Sequence, residues 1–130
     1  MTYSFSKFLQ LASLAGAAAL LVTPAAQAAI DIHWANVSGQ GNLVKSSDPA
    51  TVHPLDPQVP GTYSIDFGFN VGRCALGATI GTTGFNVPGF GLIIAYQSPA
   101  DDEAIIVETR DAKNNPANRG FFVVATCGQN

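Results

Sequence analysis

The sequence predicts an all-β protein: a small antiparallel β-sandwich or partly open barrel of six to seven strands with one disulfide. No stretch after Ala29 keeps apolar residues at the i, i+3, i+4, i+7 spacing of an amphipathic helix for three turns. Glycine and proline interrupt the chain at short intervals, with 13 and 8 copies in 130 residues. The runs between them are rich in β-branched and aromatic residues, which favour short strands joined by turns.

The start of the chain matches the pattern of a cleaved secretory signal. Lys7 supplies a positive charge, residues 8–22 are almost entirely apolar or small, and Ala26-Gln27-Ala28 places small residues at both recognition positions. The alternative is a transmembrane anchor, but the apolar run is shorter than the roughly 20 residues that span a bilayer. We therefore predict a bacterial signal peptide over residues 1–28, cleavage before Ala29, and a single secreted or periplasmic β-domain over residues 29–130.

The size and charge of the predicted mature chain limit its partners. Removal of residues 1–28 from the 130-residue chain leaves 102 residues, enough for one domain with a single core. Lys7 is lost, so five of the six basic residues remain against nine acidic ones, a net charge of −4. Scattered basic residues on an acidic chain lack the basic patch of a nucleic-acid-binding protein. We expect no nucleic-acid partner and, with no second long apolar segment, no membrane insertion after cleavage.

Two cysteines, Cys74 and Cys127, remain after cleavage. An even number of cysteines in an oxidising compartment predicts a disulfide, whereas two isolated thiols make a poor zinc site. Each cysteine shares a face with the apolar residues of its own predicted strand, so both point towards a core and can meet there. A bridge would close a loop of roughly 54 residues, worth about 4 kcal/mol in the chain-entropy description.

The clearest strand is predicted from Tyr63 to Val71, where odd-numbered residues are apolar and the intervening residues are polar or glycine. This alternation is typical of a strand with one buried and one solvent-facing side. We expect it to be a central core element. Further strands are predicted at residues 43–44, 74–80, 104–110 and 120–127, with brief pairing at Val52.

For two other strands, the sequence also predicts which side chains face the core. Ile30, Ile32 and Trp34 alternate with Asp31, His33 and Ala35 and predict a half-buried first strand, with the first three side chains on its buried face. His33 then lies on the opposite, solvent-facing side. The run Leu92 to Tyr96 is apolar on both faces and predicts a central strand.

Six short stretches occur in this order along the chain: Gly61-Thr62-Tyr63, Cys74-Ala75, Ala78-Thr79-Ile80-Gly81, Val107-Glu108-Thr109, Arg119-Gly120-Phe121 and Cys127. They resemble an uncharacterised small secreted bacterial β-domain module that has a cysteine pair and no assigned activity. The chain departs from it before Cys74, where an Arg-Asp pair is expected, and at Phe122, where histidine is usual. The resemblance implies a single β-domain with a Cys74–Cys127 bridge, and it implies nothing about function.

The sequence offers little for catalysis or metal binding. His33 and His53 are the only histidines and share no ligand motif, and no Gly-x-Ser-x-Gly elbow occurs. Asp101, Asp102 and Glu103 could bind calcium, but a solvated turn between strands is the favoured interpretation. We predict no catalytic residue, no metal site and no cofactor. The alternative, a small secreted hydrolase, requires a pocket with a histidine beside a serine and a carboxylate.

The favoured function is a non-catalytic binding or structural module that acts through surface contacts. Phe85 and Phe90 lie in a glycine- and proline-rich loop, where the backbone can approach a partner closely. Large aromatic residues supply much of the energy at binding hot spots. We therefore predict a binding loop at Phe85 and Phe90, alone or with Trp34, for an unknown protein or glycan. The alternative is that these rings fold back and cover one end of the core.

Overall fold

The computed structural model describes residues 29–81 and 89–128, and these residues contain strands and turns but no helix. Eight strands form two antiparallel sheets of four, with the orders β2-β1-β8-β5 and β3-β4-β7-β6. The predicted count of six to seven was too low, because two short segments before Tyr63 both form strands. The strands are β1 Ile30–Val37, β2 Leu43–Ser46, β3 Thr51–Pro54, β4 Thr62–Asp66, β5 Cys74–Ile80, β6 Gly91–Gln97, β7 Ala104–Asp111 and β8 Phe121–Gly128.

The two sheets pack face to face around one core, so the fold is a β-sandwich and the prediction of an all-β antiparallel class is confirmed. The ring centroids of Tyr63 in β4 and Phe121 in β8 lie 5.3 Å apart across the interface. Within the described residues, no strand of one sheet pairs with a strand of the other. The buried side chains of the core come from both sheets and the turn after β4: Ala35, Val37, Tyr63, Ile65, Phe67, Val71, Ile105, Val107, Phe121, Val123 and Ala125.

The burial predicted for β1 was wrong. Ile30 and Ile32 are 65% and 60% exposed, whereas Ala35 and Val37 on the opposite face are fully buried. The β1–β8 register places Ala35 and Val37 opposite the core residues of β8, which decides the inward side. His33 shares this inward face, and its ring lies 4.1 Å from that of Phe69.

The strand predicted from Tyr63 to Val71 is shorter than expected. β4 ends at Asp66, whose carboxylate accepts a hydrogen bond of 2.7 Å from the backbone N–H of Gly68. Gly68 has a φ of +70°, a conformation that favours glycine and turns the chain out of the sheet. Phe67 and Val71 are nevertheless buried, so the prediction of a core element is confirmed although regular pairing stops early.

β6 is an edge strand, which corrects the prediction of a central strand at Leu92 to Tyr96. All seven of its residues pair with β7, and β6 stands at the end of the strand order. A run that is apolar on both faces is typical of a strand covered on both sides. Here the inward Ile93 and Ala95 pack against the core, while the outward side chains are exposed.

The predicted Cys74–Cys127 disulfide is confirmed, with an S–S distance of 2.02 Å. The two residues are direct register partners in β5 and β8, and their Cα atoms lie 4.2 Å apart. Both pack against the core, as the alternation of each strand predicts. The bridge therefore joins two neighbouring strands of one sheet at the end of their ladder.

The part of the chain that the structure describes contains no helix with the length and hydropathy of a membrane span.

Candidate interaction surface

The outward side chains of β6 and the residue before it form an exposed apolar line, which we call the β6 row. Its four members are Phe90, Leu92, Ile94 and Tyr96, with exposed fractions of 91%, 53%, 50% and 41%. The three strand members lie on one face because side chains alternate along a strand. Exposed large apolar residues in a line mark a candidate contact surface.

The polar residues beside the β6 row are paired with one another. Glu108 lies opposite Ile94 and accepts hydrogen bonds from Arg110, at 3.1 Å, and from the Tyr96 hydroxyl, at 3.0 Å. The pKa of Glu108 is lowered, mainly by the hydrogen bond from Arg110 and next by the one from Tyr96. The pKa of Tyr96 is raised, mainly by partial burial and next by its hydrogen bond to Glu108. The row therefore borders an Arg110–Glu108 ion pair, in which the two opposite charges offset each other, rather than a patch of one charge.

The structure separates Phe90 from Trp34, two of the three residues predicted to bind a partner. Phe90 is almost fully exposed immediately before β6, whereas Trp34 is half-buried on the outward face of the other sheet. Phe85 lies outside the described residues. Of the predicted binding residues that the structure describes, Phe90 lies in the β6 row and Trp34 does not.

Sequence reasoning missed Leu92, Ile94 and Tyr96 as surface residues. Their apolar character indicated burial, because periodicity cannot distinguish a central strand from an edge strand with an apolar outer face. The absence of charged residues from Cys74 to Ala100 is a sequence signal that could have drawn attention to this part of the molecule.

A second group of exposed apolar residues lies on the outward face of β1. Ile32 is opposite Thr126, and Trp34 is opposite Val124, in the β1–β8 ladder. β1 pairs with β8 from Ile30 to Val37, but with β2 only from Ala35 to Val37. Ile30 and Ile32 therefore expose apolar side chains on one sheet, as the β6 row does on the other.

His33 lies in a cluster that contains the residue types of a hydrolase. Its Nδ1 atom is 2.7 Å from Asp48 Oδ2, and the Ser47 hydroxyl donates to the same oxygen at 2.8 Å. In a catalytic triad, the serine bonds to the second imidazole nitrogen and the carboxylate holds the first. Ser47 instead bonds to the carboxylate and accepts a hydrogen bond of 2.9 Å from the Trp34 backbone N–H. The cluster fastens the β2–β3 connection to β1.

The hydrogen bonds around Asp48 also affect its acidity. The hydrogen bond from His33 and then that from Ser47 lower the pKa of Asp48 from its ordinary value of 3.8. Both bonds favour the ionised carboxylate. Asp48 therefore acts in this structure as the charged acceptor that holds the two side chains together.

Neither the cleft beside the β3–β4 loop nor the acidic segment at residues 101–103 brings catalytic residue types together. A cleft of about 240 Å³ beside the β3–β4 loop is lined by Asp56, Tyr63 and Asn118, among others, but by neither histidine. In the acidic segment, the Asp101 side chain accepts a hydrogen bond of 2.9 Å from the Glu103 backbone N–H, as in a turn. Within residues 29–81 and 89–128, no group of three or more His, Cys, Asp or Glu side chains could hold a metal ion.

Over the described residues, these features define a disulfide-bonded antiparallel β-sandwich of eight strands with an apolar edge strand. No family model, curated protein or solved structure matches the chain.

Proposed function

We propose that this protein is a secreted bacterial β-domain that serves as a non-catalytic binding or structural module and acts through surface contacts. The observation that carries the proposal is the β6 row, where four large apolar side chains lie exposed in a line along the last strand of a sheet. Association would remove this surface from water, which stabilises a complex by about 25 cal/mol for each Å² of apolar area buried. The bound partner would be a protein or a glycan, and no cofactor is needed.

The sequence features that predict export support the same role. The apolar N-terminal segment, with its small residues at Ala26 and Ala28, supports a signal peptide, and the Cys74–Cys127 bridge fits an oxidising compartment. We propose that the domain works in the periplasm or outside the cell. Its likeness to the small secreted module with a cysteine pair is part of this proposal.

We assign no catalytic role to the His33 cluster. The Ser47 hydroxyl is engaged by Asp48 rather than by the imidazole, so His33 is not placed to take its proton. The hydrolase alternative predicts that the wild-type protein cleaves ester or peptide substrates and that Ser47→Ala abolishes this activity. Such a result would contradict the non-catalytic proposal.

A capture experiment tests the proposed binding role. Purified protein carrying an affinity tag is incubated with the native culture medium and periplasmic extract, and the captured molecules are identified by mass spectrometry and glycan analysis. We expect wild-type protein to retain a specific partner and the Phe90→Ser/Leu92→Ser variant to lose it. The matched control, Ile30→Ser/Ile32→Ser, changes two apolar residues on β1 that are also more than half exposed, and it should keep the partner. Equal loss in both variants, or no specific capture by the wild type, would contradict the proposal.

A further inference from the structure

The cleft of about 240 Å³ beside the β3–β4 loop lies where three loops meet at one end of the sandwich, and we call it the Asn118 cleft. The loops are residues 38–42 between β1 and β2, 55–61 between β3 and β4, and 112–120 between β7 and β8. Of the described residues that line the cleft, Asp56 alone is charged. The cleft therefore differs in character from the apolar β6 row.

Hydrogen bonds between these loops hold the cleft in shape. Asn118 Oδ1 accepts one bond of 2.7 Å from the Gly61 backbone N–H and one of 3.0 Å from the Tyr63 hydroxyl. The Gly61 carbonyl in turn accepts a bond of 2.6 Å from the Thr109 backbone N–H. Gly61 has a φ of +83°, and a Cβ atom there would come 2.4 Å from the Thr109 carbonyl oxygen, so this crossing requires glycine. The cleft is thus pre-formed by contacts within the chain, as is usual for small-molecule sites.

The polar groups of the cleft are a mixture of hydrogen-bond donors and acceptors. Both lone pairs of Asn118 Oδ1 are used, so the Nδ2 amino group is what this side chain can offer a ligand. Gln40 is exposed, and its amide can donate and accept. The Tyr63 oxygen can accept while its hydrogen is donated to Asn118. One Asp56 oxygen accepts a bond of 2.8 Å from the Gln58 backbone N–H, and the carboxylate has a second acceptor oxygen.

This mixture fits a neutral, hydroxyl-rich ligand. An anion needs several donors or a positive charge, but no Lys or Arg of the described chain lines the cleft, and Asp56 would repel an anion. A metal cation needs more oxygen ligands than one carboxylate supplies. A purely apolar ligand would leave the polar groups without partners. A sugar hydroxyl both donates and accepts, so it can match the amides and the carboxylate together.

The prolines of the cleft favour a sugar over a peptide. Pro54, Pro57 and Pro60 line it, and none of them has a backbone N–H. An extended peptide gains its affinity from main-chain hydrogen bonds, which this wall cannot donate. The proline rings and Val59 offer instead an apolar surface to the C–H groups of a sugar ring. The volume is below the roughly 300–1,000 Å³ of pockets for drug-sized ligands, which suits a single ring.

We propose that the Asn118 cleft binds a neutral sugar residue of a glycan. The side-chain amides of Asn118 and Gln40 donate to oxygens of the sugar, and Asp56 accepts from one of its hydroxyl groups. No residue of the cleft belongs to the β6 row, so this site adds to the proposed function and does not depend on it.

Nuclear magnetic resonance titration of the disulfide-bonded protein tests the proposal. The probes are glucose, galactose and mannose, and the signals followed are the side-chain NH₂ groups of Asn118 and Gln40. At least one sugar should shift both signals saturably, with a dissociation constant of about 1 mM, since a single ring makes few contacts. No saturable shift with any of the three sugars would overturn the proposal.

Two further probes test the chemical class of the ligand. The uronic acid of the sugar that binds should bind at least about fivefold more weakly, because Asp56 repels its carboxylate. N-acetylalanine methylamide, which has the hydrogen-bonding groups of a peptide, should leave the two signals unchanged. Equal binding of the uronic acid would contradict a neutral ligand, and tighter binding of the methylamide would show a peptide site instead.

Substitutions test the assigned residues, with the Gln40 signal or the sugar signals as the readout. Asn118→Asp keeps an acceptor for Gly61 and Tyr63 but removes the Nδ2 donor, and Gln40→Ala removes an exposed amide. Each should weaken sugar binding by at least about fivefold. Gln58→Ala is the matched control, since Gln58 is an exposed glutamine of the 55–61 loop that does not line the cleft. Full affinity in both cleft variants, or an equal loss in the control, would overturn the assignment.

The outcomes separate this inference from the proposed function. Equal melting temperatures for the wild type and the cleft variants would exclude loss of folding as the cause of weaker binding. The Phe90→Ser/Leu92→Ser variant should bind the sugar like the wild type, because it leaves the cleft intact. Absence of sugar binding would overturn the cleft site and leave the capture experiment through the β6 row free to succeed.

Discussion

Two phenylalanines show how differently one side chain can contribute in this fold. Phe67 is 4% exposed, belongs to the core, and its ring centroid lies 5.8 Å from that of Phe69, whereas Phe90 is 91% exposed. Phe67→Ala should lower the free energy of unfolding by about 3–5 kcal/mol, because it removes buried apolar surface and leaves a cavity. Phe90→Ala should change it by about 0.5 kcal/mol or less. Urea denaturation measures both, and equal effects would contradict the assigned burial.

Asp48 makes a residue-scale prediction about pH. Its pKa is lowered in the folded protein by the hydrogen bonds from His33 and Ser47. The stabilisation is therefore fully present above the ordinary value of 3.8 and is lost as the pH falls through the folded pKa. Asp48→Asn does not titrate, so its difference in melting temperature from the wild type should shrink between about pH 5 and about pH 2. A difference that stays constant over this range would contradict the role of the ionised carboxylate.

The disulfide is best understood at the scale of elements, since Cys74 and Cys127 connect β5 and β8. The cysteines are 53 residues apart in sequence, so the bridge restricts the unfolded chain strongly although the strands already pair. Replacing either cysteine by serine should cost about 2–5 kcal/mol of stability. Reduction of the wild type should lower its denaturation midpoint to a similar degree. Unchanged midpoints in both experiments would show that the bridge does not stabilise the fold.

β1 and β6 show why the sequence located these strands but misjudged their surroundings. Both were expected near their observed positions, because β-branched residues and turn signals bound them. β1 carries apolar residues on both faces, so alternation alone did not reveal that Ala35 and Val37 are the inward pair. β6 is apolar throughout, and only the strand order places it at an edge. The consequence was that three members of the candidate surface were expected inside the core.

At the scale of the whole molecule, the chain combines a predicted export segment with a compact sandwich. We expect the exported protein to begin at Ala29, since Ala26 and Ala28 place small residues at the recognition positions after the apolar run. Intact mass spectrometry of protein from the periplasm or the medium measures this directly. Exported protein that retains Met1 would contradict the predicted cleavage.

The sequence by itself determined the all-β class, the disulfide and the inward face of β5 and β8. These depend on local quantities: the period of two, the spacing of turn residues, and the side to which each cysteine points. Only the tertiary structure decided that β6 is an edge, that the His33 ring lies against Phe69, and that Phe90 precedes a strand of one sheet while Trp34 lies in the other. These facts depend on the order of strands and on what covers each face. The exposure of a side chain is set by neighbours distant in sequence, and a local pattern does not specify those neighbours.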